Sequence, residues 1–235
     1  MIQPMEIDDF ALLNSDEYCI VSFNTPRRIV SNASVNGGFR KARHIVNMKV
    51  PSNNPKQRKN DTFPPLERTF TEFTREHGLK GTAVGLFTSA SMDSFRFFHE
   101  KLDDLYFFAC VTTGLANARR AGDRADIQNF NDIRPPEGTI NLIAGTNGRV
   151  SDSGMIEALC LASEMKTAVL HAMDFRSPVS GKHATGTGTD VTVFFSGSGR
   201  ELPYCGKHVK AGELIARVAE TVLEDSLRWY TSNSP

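Results

Sequence analysis

Apolar residues fall in short runs broken by polar, glycine-rich stretches, and only three segments repeat with a helical period. Tyr18–Phe23 is β-prone and runs into Asn24-Thr25-Pro26, which predicts a turn and a second strand at Arg28–Ser31. Ser34-Val35-Asn36-Gly37-Gly38 predicts a sharp reversal, because Asn and Gly tolerate positive φ. A strand follows at Ile45–Val50. Thr82–Thr88 and Leu105–Thr113 read as buried strands; the second is apolar on both faces, as central strands are. Gly138–Gly145 and Val191–Phe195 complete the set. Helical patterns cover Leu66–His77, ended by Gly78, then Ser151–Met173, capped by Ser151, Asp152 or Ser153, and Gly212–Tyr230. Pro51–Pro65 and Asp123–Glu137 read as loops.

No long helix separates the strands near 82–88, 105–113 and 139–145. The expected architecture is therefore one α/β domain over residues 1–235, its mixed sheet layered with helices. Lys+Arg and Asp+Glu both number 27, so wholesale nucleic-acid binding is not expected. Charge is uneven, however: Tyr18 to Asn60 holds no acid but carries nine Lys and Arg residues, an anion-facing surface or simply a solvated rim. The four cysteines are scattered without zinc or disulfide spacing, which fits a reducing compartment. Met1 to Phe10, with Glu6, Asp8 and Asp9, does not read as a signal peptide, and no apolar run reaches about 18 residues. The expectation is a soluble cytoplasmic protein with no membrane partner; a homo-oligomer is left open.

Candidate chemistry gathers at strand ends. Ala184-Thr185-Gly186-Thr187-Gly188-Thr189-Asp190 alternates Gly and Thr just before a strand. Such a loop admits a ligand close to the main chain and offers hydroxyls and a carboxylate; the alternative is a flexible connection. No Gly-Lys-Ser or Gly-Lys-Thr follows, so it is not a P-loop. The buried strand ending at Thr113 runs into Asn117, Arg119 and Arg120, amide and guanidinium donors placed where α/β proteins put ligands. Thr139 and Asn141 share one strand face, suiting a wet site or an exposed one. The Asn36-Gly37-Gly38 turn can expose main-chain donors, although a plain turn explains it too.

On the long helix, Glu157, Glu164 and His171 recur every seven residues, roughly 10 Å apart on one stripe. Lys166 points nearly opposite. A carboxylate in an otherwise apolar helix suits a general acid or base, which singles out Glu164; a partly exposed polar stripe is the alternative. Cys205 and His208 are a weaker nucleophile and base pair, lacking an orienting third residue.

Six ordered blocks carry a family resemblance: Ser31-Asn32-Ala33 with Asn36-Gly37-Gly38 and Asn47-Met48-Lys49-Val50; Gly85–Ala90; Thr113–Gly122; Gly138–Asn141; Glu164–Ala168; and Ala184–Asp190. From about Ile29 to Val222 the chain resembles the adenosylcobinamide amidohydrolases of cobamide salvage, with Met165 a departure where Ala is expected. The resemblance implies hydrolysis of the amide between adenosylcobinamide's corrin and its aminopropanol arm, giving adenosylcobyric acid and 1-aminopropan-2-ol. It implies a corrinoid substrate and no cofactor beyond the cobalt inside it. No His, Asp or Cys cluster has metal-ligand spacing. For such chemistry Glu164 is the candidate base with Lys166 a weaker companion, and Thr187 or Thr139 an alternative nucleophile. Gly186, Thr187 and Gly188 are candidate oxyanion donors. Asn117, Arg119 and Asn141 would grip the corrin's amides, with Asn36, Gly37, Thr139 and Asp190 also on the binding side. A corrinoid binder without hydrolysis and a Cys205-dependent acyl transferase are the competing classes.

Overall fold

The computed structural model describes residues 5–7, 9–50, 65–126 and 138–233. The loop expected at 51–65 falls outside them save Pro65, as does that at 123–137 beyond residue 126. Nine strands form one curled, mixed sheet: β1 (Met5–Ile7), β2 (Phe10–Asn14), β3 (Tyr18–Ser31), β4 (Gly38–Lys49), β5 (Ala83–Thr88), β6 (Arg96–Leu102), β7 (Leu105–Thr113), β8 (Ile140–Thr146) and β9 (Val191–Ser196). The helices are α1 (Leu66–Glu76), α2 (Asp152–Ala172) and α3 (Lys210–Asn233). None is long and apolar enough to cross a membrane.

β3 organises the sheet. Its first half pairs with β2, its second half with β9, and both halves pair with β4. The turn expected at Asn24-Thr25-Pro26 does not form: the strand continues through an irregularity between Ser22 and Arg27. A proline fits there because a bulge asks for no ladder N–H. Within this sheet, among the described residues, only two pairings are parallel, β4 with β5 and β8 with β9, and these are the pairs joined by α1 and α2. The remaining neighbours run antiparallel, so the sheet is mixed as expected.

Curling brings β4 and β5 across from β7 and β8, and side-chain alternation sorts the core into layers. Phe107, Ala109 and Val111 of β7 face α2 and α3, whereas Tyr106, Phe108 and Cys110 face inward, against Phe10, Ile45, Leu86 and Phe195. On the far side Phe70 of α1 packs on Ile20, Val46 and Ala83. Burying one such large side chain contributes roughly 1.5–3 kcal/mol.

Strands β1, β2 and β6 were not foreseen. β6 reads Arg-Phe-Phe-His-Glu-Lys-Leu, an edge strand whose charges hide its β pattern. The basic stretch is partly structural: Arg27 is buried against Asp9, and Arg28 holds Asp152 and the Val150 carbonyl.

Candidate active site

α2 begins at Ser151, whose hydroxyl accepts the Gly154 N–H, and presents Gly154, Met155, Ala158, Leu161, Ala162 and Val169 to the core. Lys166 shares that inward face. Its residue is 8% exposed, and its ammonium pairs with the Asp190 carboxylate at the start of β9. An unpartnered charge at that depth would be costly, so each member requires the other.

Asp190 is the hub of the Gly/Thr loop. Besides Lys166, its carboxylate accepts the Thr187 hydroxyl at 2.5 Å, the Thr187 N–H at 3.0 Å and the Ile140 N–H at 3.0 Å. Gly186 and Thr187 pair as a two-residue antiparallel ladder with Arg119 and Ala118. Thr185 donates its N–H to the Arg119 carbonyl, and its own carbonyl accepts the Thr167 hydroxyl. The loop is thus firmly tied rather than a flexible connection.

A cleft of about 340 Å³ opens over this loop, lined by Arg119, Arg120, Ala121, Lys166 and Thr185 to Asp190. Thr187 therefore stands on the wall with its hydroxyl already directed at a carboxylate. Its N–H is spent on Asp190 and is not an oxyanion donor. The Gly188 N–H makes no hydrogen bond within the described residues, which leaves it to a ligand. Arg119 at the cleft is held by both Asp126 oxygens at 2.7 Å, and Arg120 donates to the His183 carbonyl.

The other expected residues divide clearly. Thr139 and Asn141 are buried and internally satisfied. The Thr139 hydroxyl reaches the Thr189 carbonyl at 2.9 Å and the Asn141 Oδ1 at 3.1 Å. Asn141 Nδ2 reaches Asn47 Oδ1 at 2.7 Å and the Phe87 carbonyl at 2.9 Å, and Asn47 donates on to Thr112. Their shared face is the inside of the curled sheet, not a wet wall, and they support the loop from behind. Asn36 takes a positive φ of 57° and donates to the Ala83 carbonyl. A Cβ on Gly37 would stand 2.3 Å from the Ala33 carbonyl oxygen. Both therefore build the β3–β4 turn, and neither lines the cleft.

The premise behind Glu164 also fails. Its side chain is 54% exposed and pairs with Lys207 at 2.6 Å, on the flank of α2 opposite Lys166. Lys207 lines a different cleft, along α3, where Arg217 pairs with Glu213. Helix α2 is less apolar all round than its composition suggested, and its outward stripe is solvated. Cys205 is fully buried, and that burial, followed by the nearby Glu157 carboxylate, pushes its thiol up to about 12. A thiol so held stays protonated and is a poor nucleophile. No group of three or more metal-ligating side chains occurs among the described residues.

Of the two charged candidates on α2, Lys166 faces the core and Glu164 faces solvent, a choice of face that the helical period alone does not make. Asn117 stands apart. It sits in a turn closed by the Ala118 N–H on the Leu115 carbonyl, one residue from the ladder partner of Thr187.

Within a layered α/β fold, the site thus sets a threonine hydroxyl on a buried lysine–carboxylate pair at a glycine-lined cleft. The family is shown by the whole sequence: residues 3–235 match the model of the adenosylcobinamide amidohydrolases, and the chain belongs to that family of amide-hydrolysing enzymes. A relative from Methanosarcina mazei named adenosylcobinamide amidohydrolase is 25% identical over 78% of this chain and 82% of its own length. An uncharacterised protein of Methanocaldococcus jannaschii is 30% identical over 94% of this chain and 89% of its own. Among solved structures, a Burkholderia β-aminopeptidase superposes with a TM-score of 0.45 and 10% identity, over 96% of this chain and 80% of its own.

Proposed function

We propose that the protein hydrolyses the amide joining the corrin acid of adenosylcobinamide to its aminopropanol arm, releasing adenosylcobyric acid and 1-aminopropan-2-ol for corrinoid salvage. The observation that carries this reading is the Thr187 hydroxyl, 2.5 Å from the carboxylate of the Lys166–Asp190 pair, on the wall of the cleft. In this reading Thr187 Oγ attacks the amide carbon and the carbonyl electron pair moves onto oxygen, which the free Gly188 N–H meets. The hydroxyl proton passes to Asp190 Oδ1 and then to the departing nitrogen as the C–N bond breaks. Water then cleaves the threonyl ester, regenerates the hydroxyl and frees the acid. Lys166 holds Asp190 in place throughout. The step calls on no resident cofactor, and cobalt enters only within the substrate. A cleft of about 340 Å³ suits the arm and its amide, with the macrocycle outside at the mouth beside Arg119 and Arg120.

Mass analysis of a reaction with adenosylcobinamide tests the reading. The parent protein forms the acid and the amino alcohol, Thr187→Ser keeps part of the rate, and Thr187→Ala loses about 10³-fold or more. Absence of both products, or turnover by Thr187→Ala at the parent rate, overturns it.

A further inference from the structure

Three cations line the cleft over the Gly/Thr loop: Lys166, Arg119 and Arg120. Two are neutralised, Lys166 by Asp190 and Arg119 by both oxygens of Asp126. Arg120 differs. It is partly exposed, and among the described residues its guanidinium makes one hydrogen bond, from Nη1 to the His183 carbonyl at 3.2 Å, and no ion pair. The acids beside it are engaged elsewhere. Asp123 accepts the Ser177 hydroxyl and the main-chain N–H of Arg120, while Asp174 pairs with Arg176 and the His183 ring. Asp190 is filled by Lys166, Thr187 and the Ile140 N–H. The His183 carbonyl anchors the guanidinium beside the chain that leads into the Gly/Thr loop and leaves the rest of its planar fork of donors unspent. On the same wall the Thr185 hydroxyl accepts the Ala121 N–H and donates to nothing within the described residues, as is true of the Gly188 N–H.

A full positive charge with unspent donors beside it recognises an anion, and a carboxylate fits a guanidinium edge in two parallel hydrogen bonds. The substrate's amide is neutral. Its hydrolysis leaves a carboxylate on the ring side of the cleft, at the mouth, after the amino alcohol has left. We infer that Arg120 is an anion-binding residue whose guanidinium receives the carboxylate of the corrin acid, so that the enzyme holds its acid product in the cleft. The Gly188 N–H, placed for the carbonyl oxygen of the amide, then meets one oxygen of the same carboxylate. This rests on the proposed corrinoid reading and adds the group by which the site tells acid from amide.

The test measures the Kd of adenosylcobyric acid by equilibrium dialysis, read from the corrin's visible absorbance, and the KM of adenosylcobinamide from initial rates. The parent is compared with Arg120→Gln and Arg120→Lys. Carboxylate binding predicts that Arg120→Gln raises the Kd of the acid about tenfold more than it raises KM, the scale of one lost charge-assisted contact. Arg120→Lys, which keeps the charge without the fork, falls between. In the parent, salt raised from about 0.05 to about 0.5 M should weaken the acid and spare the amide, and Arg120→Gln should lose that difference. An unchanged Kd in folded Arg120→Gln overturns the inference. Equal rises in Kd and KM also overturn it, by placing Arg120 on the uncharged ring, and so does a collapse of kcat at constant Kd. Should Arg120→Gln fail to fold, the salt dependence of the parent and Arg120→Lys decide. Failure of the functional reading looks different: the parent forms no acid from adenosylcobinamide, whereas the dialysis needs no turnover.

Discussion

Gly186 lies where any side chain would strike Asp190: a Cβ there would stand 2.3 Å from Asp190 Oδ2 and 3.2 Å from Lys166 Nζ. The glycine is needed for close approach, because the ion pair fills the volume a methyl group would take. Gly186→Ala should therefore displace the carboxylate from the Thr187 hydroxyl. Shifts of that size at a reacting centre cost on the order of 10²-fold. The expected outcome is a fall in kcat of about that size with the fold retained, read by steady-state kinetics beside circular dichroism.

Removing one member of the Lys166–Asp190 pair strands the other. Lys166→Met should lower stability by about 3–5 kcal/mol. Adding Asp190→Asn to Lys166→Met should restore much of that loss, because no charge is then left unpaired, yet activity should stay absent. Urea unfolding of the two singles and the double closes the cycle.

Glu164→Gln should leave turnover within about twofold and stability within about 1 kcal/mol, since an exposed ion pair contributes little. A loss approaching 10²-fold in measured kcat would return Glu164 to the chemistry.

Cys205 supplies a pH prediction. Its thiol, ordinarily at 9.0, is pushed up to about 12 by burial and by Glu157. Because the folded state favours the neutral thiol, this stabilisation is complete below pH 9 and fades as pH rises toward 12. At pH 8 iodoacetamide should modify the exposed Cys160 first, with activity unchanged while Cys205 is spared. Peptide mapping by mass spectrometry follows both sites, and inactivation that tracks Cys205 labelling would favour a thiol enzyme.

Much of the fold was legible because strand alternation and helix periodicity are local. The run Leu105–Thr113 announced a central strand, and the missing helices around it announced a mixed sheet. Asn24-Thr25-Pro26 misled because turn residues also suit a bulge, and only pairing with β2, β4 and β9 decides between them. At the site, the Gly/Thr loop was legible from its composition. The choice between Glu164 and Lys166 was not, because helical period tells which residues share a face but not which face meets the core. Thr139 and Asn141 showed the same ambiguity: two polar residues on one strand face fit a wet wall or a buried network equally, until the curl of the sheet brings Asn47 within reach.

That network bears on how the protein folds. Asn32 of the β3–β4 turn donates to the Asp190 carbonyl across 158 positions of sequence, Asn141 reaches Asn47 across 94, and Asn47 reaches Thr112 across 65. Contacts of such separation close late, after the chain entropy of long loops has been overcome. The Gly/Thr loop keeps its own Thr187–Asp190 bonds, but its place against β3 and β8 depends on these distant partners. That placement comes into being with the final closure of the sheet, so that no fragment lacking either arm retains a working site, and the slow exchange of the Thr187 amide proton should report global rather than local opening.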